Sequence, residues 1–420
     1  MRDASAFLRP RYMAYLARRE ALRMWPKLSR VKGKRILAVF DPSLKGPYGH
    51  HLEYARAIKE VCEPIYDVRF YANLRASMRV ILSLHAQPVC EESTYPSLQG
   101  CFEDVYRRMT RFTVEGLSRI DRWDAAPQAI LVMHTVSIYQ LGGLVEWFQA
   151  LPNSQRPNLC LQFTFPLEFG LSKVSDERTT AFAFARAAAA ALVATGKTRF
   201  AANSRLLADH ISKDLQQECA VLPHSLRWPN LSQNIEPDPG VVFGFFGGLR
   251  VEKGASIIAR AIPEFAARYP DTKFIVHAPS AESDSSAVKS LETVPQVELI
   301  RKSFDGKNDY FKQFTRASCI LVPYDPVAYA YRPSGVLIEA LGLDRLIITT
   351  KDSWCWAEAE RYGRKAIGMT TFTSESLFSS LADARNLLRD QPIKPKRNED
   401  VIRENCPDAF GSALIRLANS

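Results

Sequence analysis

Short apolar runs alternate with amphipathic stretches along most of this chain. The first run, Arg35-Ile36-Leu37-Ala38-Val39-Phe40, ends at Asp41 and predicts a buried strand. The loop Gly46-Pro47-Tyr48-Gly49-His50-His51 follows, and then Leu52, Ala55 and Ile58 recur at helical spacing. Further strands are expected over 65–71, 129–133, 159–165, 199–202 and 219–222. Asn203-Ser204 supplies a cap for a helix through Leu206, Leu207 and Ile211. Residues 223–240 carry Pro223, Pro229, Pro237 and Pro239 with little periodicity, which is the composition of a linker. A second series then predicts strands over 241–246, 273–277, 297–300, 319–322 and 346–350. Such alternation builds parallel sheets covered by helices. The expected fold is α/β: two doubly wound Rossmann-like domains facing a cleft, with ligands at the carboxyl ends of the strands. The divisions are a basic segment 1–34, an N-terminal domain 35–222, the linker 223–240, a C-terminal domain 241–385, and a tail 386–420 whose last part, 409–417, is helical.

Length and composition agree with two ordinary globular domains. The chain has 420 residues, of which 46% are hydrophobic and 24% charged. No apolar run reaches the length of a membrane span. The nearest, 181–195, is alanine-rich and interrupted by Arg186, so it reads as a packed helix. The net charge of +10 becomes informative once it is located. Residues 1–35 hold eleven Arg or Lys against Asp3 and Glu20, whereas the rest of the chain is nearly balanced. A secretory signal is not expected, because Tyr12-Met13-Ala14-Tyr15-Leu16-Ala17 is short and runs into Arg18-Arg19. Leu8, Tyr12, Tyr15, Leu16 and Leu22 share a helical face that Arg19 interrupts. The favoured reading is a segment drawn by charge to an anionic membrane surface; a basic helix packed on the first domain is the plainer one. Nucleic acid is not an expected partner, since no platform of aromatic and basic residues recurs.

The eight cysteines are scattered and the seven histidines form no close pair at ligand spacing, so neither a disulfide framework nor a metal site is expected. The chemistry concentrates elsewhere. Phe245-Phe246-Gly247-Gly248-Leu249-Arg250-Val251-Glu252-Lys253-Gly254 reads as a strand opening into a glycine-rich loop with two cations. Arg332-Pro333-Ser334-Gly335-Val336-Leu337-Ile338-Glu339-Ala340-Leu341 reads as a turn that starts a helix. Amide groups at a helix start, with Arg and Lys nearby, suit a phosphate-bearing ligand. A carboxylate beside them suits the hydroxyls of a sugar or ribose. Taken alone, Glu339 also fits an ordinary solvated or capping glutamate.

Residues 241–350 resemble the C-terminal domain of GT-B fold glycosyltransferases, in particular the retaining family 4, in its bacterial polysaccharide form. The resemblance rests on Phe246-Gly247 through Lys253-Gly254, on Val322-Pro323-Tyr324, and on Glu339-Ala340-Leu341. Phe200-Ala201-Ala202-Asn203-Ser204 and Val221-Leu222-Pro223-His224 extend it more weakly into the first half. It implies a nucleoside diphosphate sugar donor and a glycan or lipid-linked glycan acceptor. Transfer would be metal-independent, without a cofactor, and located in the cytoplasm or on the inner face of the membrane, in cell-surface polysaccharide synthesis. Carried over residue by residue, it places the donor against Gly247, Gly248, Lys253, Arg332, Ser334, Gly335 and Glu339, with Gly46 and Gly49 in the first domain. Lys253 and Arg250 would stabilise the leaving diphosphate, and Glu339 would hold the ribose.

Three positions depart from the family pattern. Gly248 stands where an arginine directly follows the turn glycine, and Arg250 is the nearest replacement. Tyr331 stands eight residues before Glu339, where the family has a second glutamate that contacts the sugar. No histidine follows Leu161-Gln162-Phe163-Thr164-Phe165, which leaves His134 at the end of the preceding strand as the catalytic candidate. A lone histidine ending an apolar strand is more often structural. Trp354 and Trp356 fit either an acceptor wall or a core cover. Two other functions remain open on the same donor site: a GT-B fold nucleotide-sugar epimerase and a non-catalytic nucleotide-sugar-binding assembly protein.

Overall fold

The computed structural model describes residues 33–46, 49–95, 100–120, 128–171, 175–229, 237–279, 284–304, 306–364, 366–391 and 396–420. Residues 1–32, which carry most of the basic segment and its expected membrane contact, lie outside this set, as do Pro47 and Tyr48. The chain forms two compact units. One comprises the described residues up to Ser225 together with Pro407–Ser420, and the other Leu226–Cys406.

The first unit contains β1 (Arg35–Phe40), α1 (His50–Cys62), β2 (Tyr66–Asn73), α2 (Met78–Leu84), β3 (Gln87–Cys90), α3 (Phe102–Ser118), β4 (Ile130–Met133), α4 (Leu141–Ala150), β5 (Asn158–Phe163), α5 (Ser175–Val193), β6 (Thr198–Ala202), α6 (Arg205–Leu215) and β7 (Cys219–Val221). Its seven strands pair in parallel in the order β3-β2-β1-β4-β5-β6-β7. Every residue of β1 after Arg35 is buried, because a central parallel strand has both faces covered. The Ser204 hydroxyl accepts the amide of Leu207 and fixes the start of α6, as the sequence predicts.

The second unit runs β8 (Val241–Phe245), α7 (Ala255–Arg268), β9 (Thr272–His277), α8 (Ser285–Glu292), β10 (Val297–Ile300), α9 (Lys307–Phe314), β11 (Cys319–Val322), α10 (Gly335–Gly342), β12 (Leu346–Thr350), α11 (Trp354–Arg361), β13 (Ala366–Met369), α12 (Ser374–Asp390) and α13 (Glu399–Glu404). Its six strands are also parallel, in the order β10-β9-β8-β11-β12-β13. Residues 386–420 divide between the units: α13 stays with the second, and α14 (Pro407–Asn419) packs on α1 of the first. Gly411 allows that approach, since a Cβ there would collide with Val61. Trp354 is 1% exposed within the second core, so core cover is its role, whereas Trp356 is half-buried with Lys351 over its ring.

Both sheets reverse strand order at one place, between β1 and β4 in the first unit and between β8 and β11 in the second. In an open parallel sheet the loops leaving those two strands diverge and frame a crevice. They carry the chemistry described below.

Six of the eight cysteines are buried and all eight are unpaired thiols. No helix among the described residues is long and apolar enough to cross a membrane. His224, just after β7, is 7% exposed, and burial pushes its pKa down to about 4 from an ordinary 6.5. A depressed histidine contributes stability that is present above pH 6.5 and lost as pH falls toward 4. At about 1.4 kcal/mol per pH unit, the loss reaches roughly 3 kcal/mol. The His224→Phe variant is expected to show a flatter decline of urea-unfolding free energy across that window, and an unaltered slope counts against this assignment.

Candidate functional site

In the second unit the apolar strand β8 delivers Phe246, buried, to a turn through Gly247 and Gly248. Both glycines have left-handed backbones, with φ of 98° and 78°. A short 3₁₀ turn, Val251–Lys253, follows, and Gly254 at φ 84° leads into α7. Lys253 folds back and donates from Nζ to the carbonyl of Gly247 at 2.8 Å. Its amine also lies 5.4 Å from the centre of the Tyr324 ring. A Cβ on Gly247 would come within 2.6 Å of that amine. The glycine therefore serves two needs, the backbone angle and the space for Lys253.

Arg250 and Arg332 converge on one carboxylate. Nε of Arg250 lies 3.3 Å and Nη1 of Arg332 3.7 Å from Oε1 of Glu252. Arg332 also stacks over Tyr329 at 4.8 Å. Two guanidinium groups thus share the one carboxylate of Glu252, and Lys253 follows it on the same turn, a cationic setting suited to a phosphate-bearing ligand. Glu252 lies inside the quoted motif, yet its place between the two arginines depends on the loop closing on itself.

From β11 the chain turns through Pro323 and buried Tyr324 to the half-buried Tyr331 and on to Ser334. The Ser334 hydroxyl accepts the amide of Leu337 and caps α10 where the sequence places the helix start. A Cβ on Gly335 would meet only Leu226 Cδ2 at 3.7 Å, an ordinary contact. Packing therefore gives no reason for glycine there. Glu339 is 3% exposed, and each of its oxygens takes one hydrogen bond: Oε1 from Lys307 Nζ at 2.6 Å and Oε2 from the Tyr310 hydroxyl at 2.5 Å. Burial, reinforced by Glu339, raises Tyr310 well above the usual phenol range and keeps it a donor. A carboxylate accepts about four hydrogen bonds, so capacity remains for another donor. Lys307 and Tyr310 sit about thirty residues upstream on α9, and no local pattern ties them to Glu339.

In the first unit the loop after β1 contains Gly46 and Gly49, both exposed; Gly49 caps α1 with φ 95°. His134, directly after β4, is fully buried. Its Nε2 is 2.8 Å from Oδ2 of Asp41, and its Nδ1 is 3.2 Å from the Thr135 hydroxyl. The same Asp41 oxygen is 3.0 Å from Nδ1 of His51. Burial pushes the Asp41 carboxyl up, but the facing His51 and His134 outweigh it and hold Asp41 well below the usual carboxylate range. The sequence singles out His134 and the glycine loop separately; parallel pairing of β1 with β4 brings Asp41 to His134.

Among the described residues two groups have the donor set for a divalent ion: Asp41, His51 and His134, and Glu168, His210 and Asp214. Residue spacing reveals neither, because tertiary contacts gather each group.

No protein-family model matches the chain, and no curated protein sequence is similar to it. Solved structures do match its fold. HepE of Anabaena in complex with UDP and glucose superposes with a TM-score of 0.58 at 16% identity, covering 92% of this chain and 100% of that one. Sucrose-phosphate synthase of Thermosynechococcus elongatus gives 0.61 at 10% identity, covering 92% and 98%. UDP-GlcNAc 2-epimerase of Neisseria meningitidis bound to UDP-GlcNAc gives 0.50 at 14% identity, with the same coverage. The chain has the GT-B fold of two Rossmann-like domains that these structures share.

Proposed function

We propose that this protein is a glycosyltransferase that moves a sugar from a nucleoside diphosphate sugar to a hydroxyl of a glycan or lipid-linked glycan. The observation that carries this reading is the cationic loop at the strand-order reversal of the second unit, where Arg250 and Arg332 converge on Glu252 and Lys253 folds back onto the Gly247 carbonyl. When the sugar leaves, negative charge builds on the diphosphate. Preorganised cations and the amides at the start of α10 stabilise that charge without reorganising, which is where a fixed site lowers the barrier. Glu339, held by Lys307 and Tyr310, accepts the ribose hydroxyls. The complex of HepE with UDP and glucose supports a uridine donor. The family resemblance supports retention of configuration, metal-independent transfer without a cofactor, cell-surface polysaccharide as the product, and a cytoplasmic place at the membrane.

A panel of UDP-, GDP-, ADP- and dTDP-sugars, followed by thermal shift and by release of the nucleoside diphosphate, tests the proposal. At least one member should raise the melting temperature and be consumed; binding of none overturns the reading. The epimerase among the fold relatives favours a second reading, which predicts conversion of the free nucleotide sugar to its epimer without an acceptor. Within the donor site, Glu339→Gln keeps the side-chain shape and removes the charge. Donor affinity is expected to fall roughly tenfold or more, since hydrogen bonds to a charged group are worth about 1.5–3 kcal/mol. Calorimetric titration with the panel donor checks this, and an unchanged affinity removes Glu339 from the ribose site.

A further inference from the structure

One cluster of the first unit has no part in the donor reading. Glu168 lies in the turn after β5, and His210 and Asp214 lie one helical turn apart on α6. That i, i+4 spacing puts both side chains on one face of the helix.

The distances set this cluster apart from ordinary ion pairs. Nε2 of His210 is 3.3 Å from Oε1 of Glu168, 3.3 Å from its Oε2 and 3.3 Å from Oδ2 of Asp214. A charge-assisted N–H···O bond is about 2.7–2.9 Å long, and one N–H cannot point at three oxygens. Oδ2 of Asp214 is accordingly buried without a hydrogen-bond partner, facing the imidazole. Donor atoms held at about 2.0–2.1 Å from one tetrahedral ion lie roughly 3.3–3.4 Å from one another. The Asp41 group differs: its contacts to His134 and His51 are 2.8 and 3.0 Å, the lengths of hydrogen bonds.

Charge points the same way. Glu168 and Asp214, 25% and 16% exposed, bring two negative charges, and a protonated imidazole offsets one of them. A divalent ion beside a neutral imidazole offsets both. Arg178, Arg186 and Lys213 supply positive charge farther out. Arg186 donates to the main-chain carbonyl of Asp214 at 2.8 Å rather than to its carboxylate.

We propose that Glu168, His210 and Asp214 bind one Zn²⁺, and that the ion pins the turn after β5 to α6. An imidazole with two carboxylates suits Zn²⁺ better than Mg²⁺ or Ca²⁺, which take oxygen ligands. With both oxygens of Glu168 engaged, four donor atoms complete the shell, as in a structural site. The ion serves the fold of the first unit, so the proposal stands apart from the transferase reading. What it holds is a wall. Phe165 and Phe169, on either side of Glu168 in the chain, stack at 4.3 Å and line a pocket of about 460 Å³ with Tyr139 and Phe163. Phe169 is 41% exposed, so packing alone holds its ring weakly and a tether at Glu168 fixes the turn that carries it.

The untagged full-length chain, stripped with EDTA and dialysed, is titrated with Zn²⁺ by calorimetry and melted with and without the ion. One Zn²⁺ per chain is expected, with the melting temperature raised by roughly 5–10 °C at a hundredfold excess over Kd. Mg²⁺ at the same concentration should leave it unchanged, and equal protection by Mg²⁺ overturns the choice of ion. Asp214→Asn keeps the side-chain shape, and His210→Ala removes the imidazole. Each should weaken Zn²⁺ binding by roughly a hundredfold or more, whereas His51→Ala should retain it. Hydrogen exchange across residues 166–171 should slow with Zn²⁺ in the wild type and not in Asp214→Asn. A wild type that binds no stoichiometric Zn²⁺ overturns the site and leaves the cluster as plain ion pairs. Zn²⁺ retained by both Asp214→Asn and His210→Ala, or lost with His51→Ala, places the ion elsewhere and overturns it too. Binding without slowed exchange at 166–171 overturns the pinning.

Discussion

Replacing Lys253 by alanine is expected to lower kcat/KM for the donor by roughly 10²–10³-fold, the cost of removing one preorganised donor from a site of developing charge. The side chain is 8% exposed, and its amine is fixed by the Gly247 carbonyl at 2.8 Å and by the face of Tyr324. A cation so placed requires no rearrangement when charge reaches the diphosphate. In a site largely screened from water its attraction is also far stronger than that of an exposed lysine. Arginine should be a poor substitute, because a planar guanidinium does not reproduce the compact ammonium that the Gly247 carbonyl and the Tyr324 ring hold. Loss of the Gly247 contact removes one hydrogen bond, about 1 kcal/mol, so the variant should remain folded. Nucleoside diphosphate release and a melting curve measured on the same preparation separate the two effects. A decline smaller than tenfold would remove Lys253 from the diphosphate site.

The second large effect is structural. Gly254→Ala should destabilise the second unit by roughly 2–4 kcal/mol, combining two costs. A left-handed backbone at φ 84° disfavours any Cβ by about 1–2 kcal/mol. The new methyl would also lie 2.5 Å from the carbonyl oxygen of Pro323, a backbone atom that cannot swing away. Gly240 provides the control: it has φ 87° but nothing within 4 Å of its Cβ position, so Gly240→Ala carries the backbone cost alone. Urea unfolding of both variants isolates the clash as their difference. Equal destabilisation would show that the close approach of the turn to Pro323 is not what requires the glycine. Because Lys253 directly precedes Gly254, donor affinity should fall with stability in Gly254→Ala and hold in Gly240→Ala.

The long apolar runs made most strands legible. Those at Arg35–Phe40, Val297–Ile300, Cys319–Val322 and Leu346–Thr350 occur where the hydrophobic pattern puts them. The sequence reading omits β3 and β13, for a physical reason. Both are four-residue edge strands, β3 with Pro88 and β13 with Gly368, residues that weaken a strand signal and are tolerated where only one side must pair. The tail 386–420 read as one segment by composition. The small Gly411 that lets α14 lie on α1 carries no signal of that contact without the partner helix.

By itself, the sequence determined the α/β fold, the two strand series, the glycine loop at 246–254 and the capped helix start at Ser334. Each is a local property, set by side-chain period, by backbone angles only glycine takes readily, or by a hydroxyl within three residues of the amide it binds. Tertiary structure decided which charges meet. It put Lys307 and Tyr310 on Glu339, closed Arg250 and Arg332 on Glu252, and joined Asp41 to His51 and to His134, 93 residues away. The reason is geometric: parallel strands align their carboxyl ends, so residues that end different strands become neighbours whatever their separation along the chain.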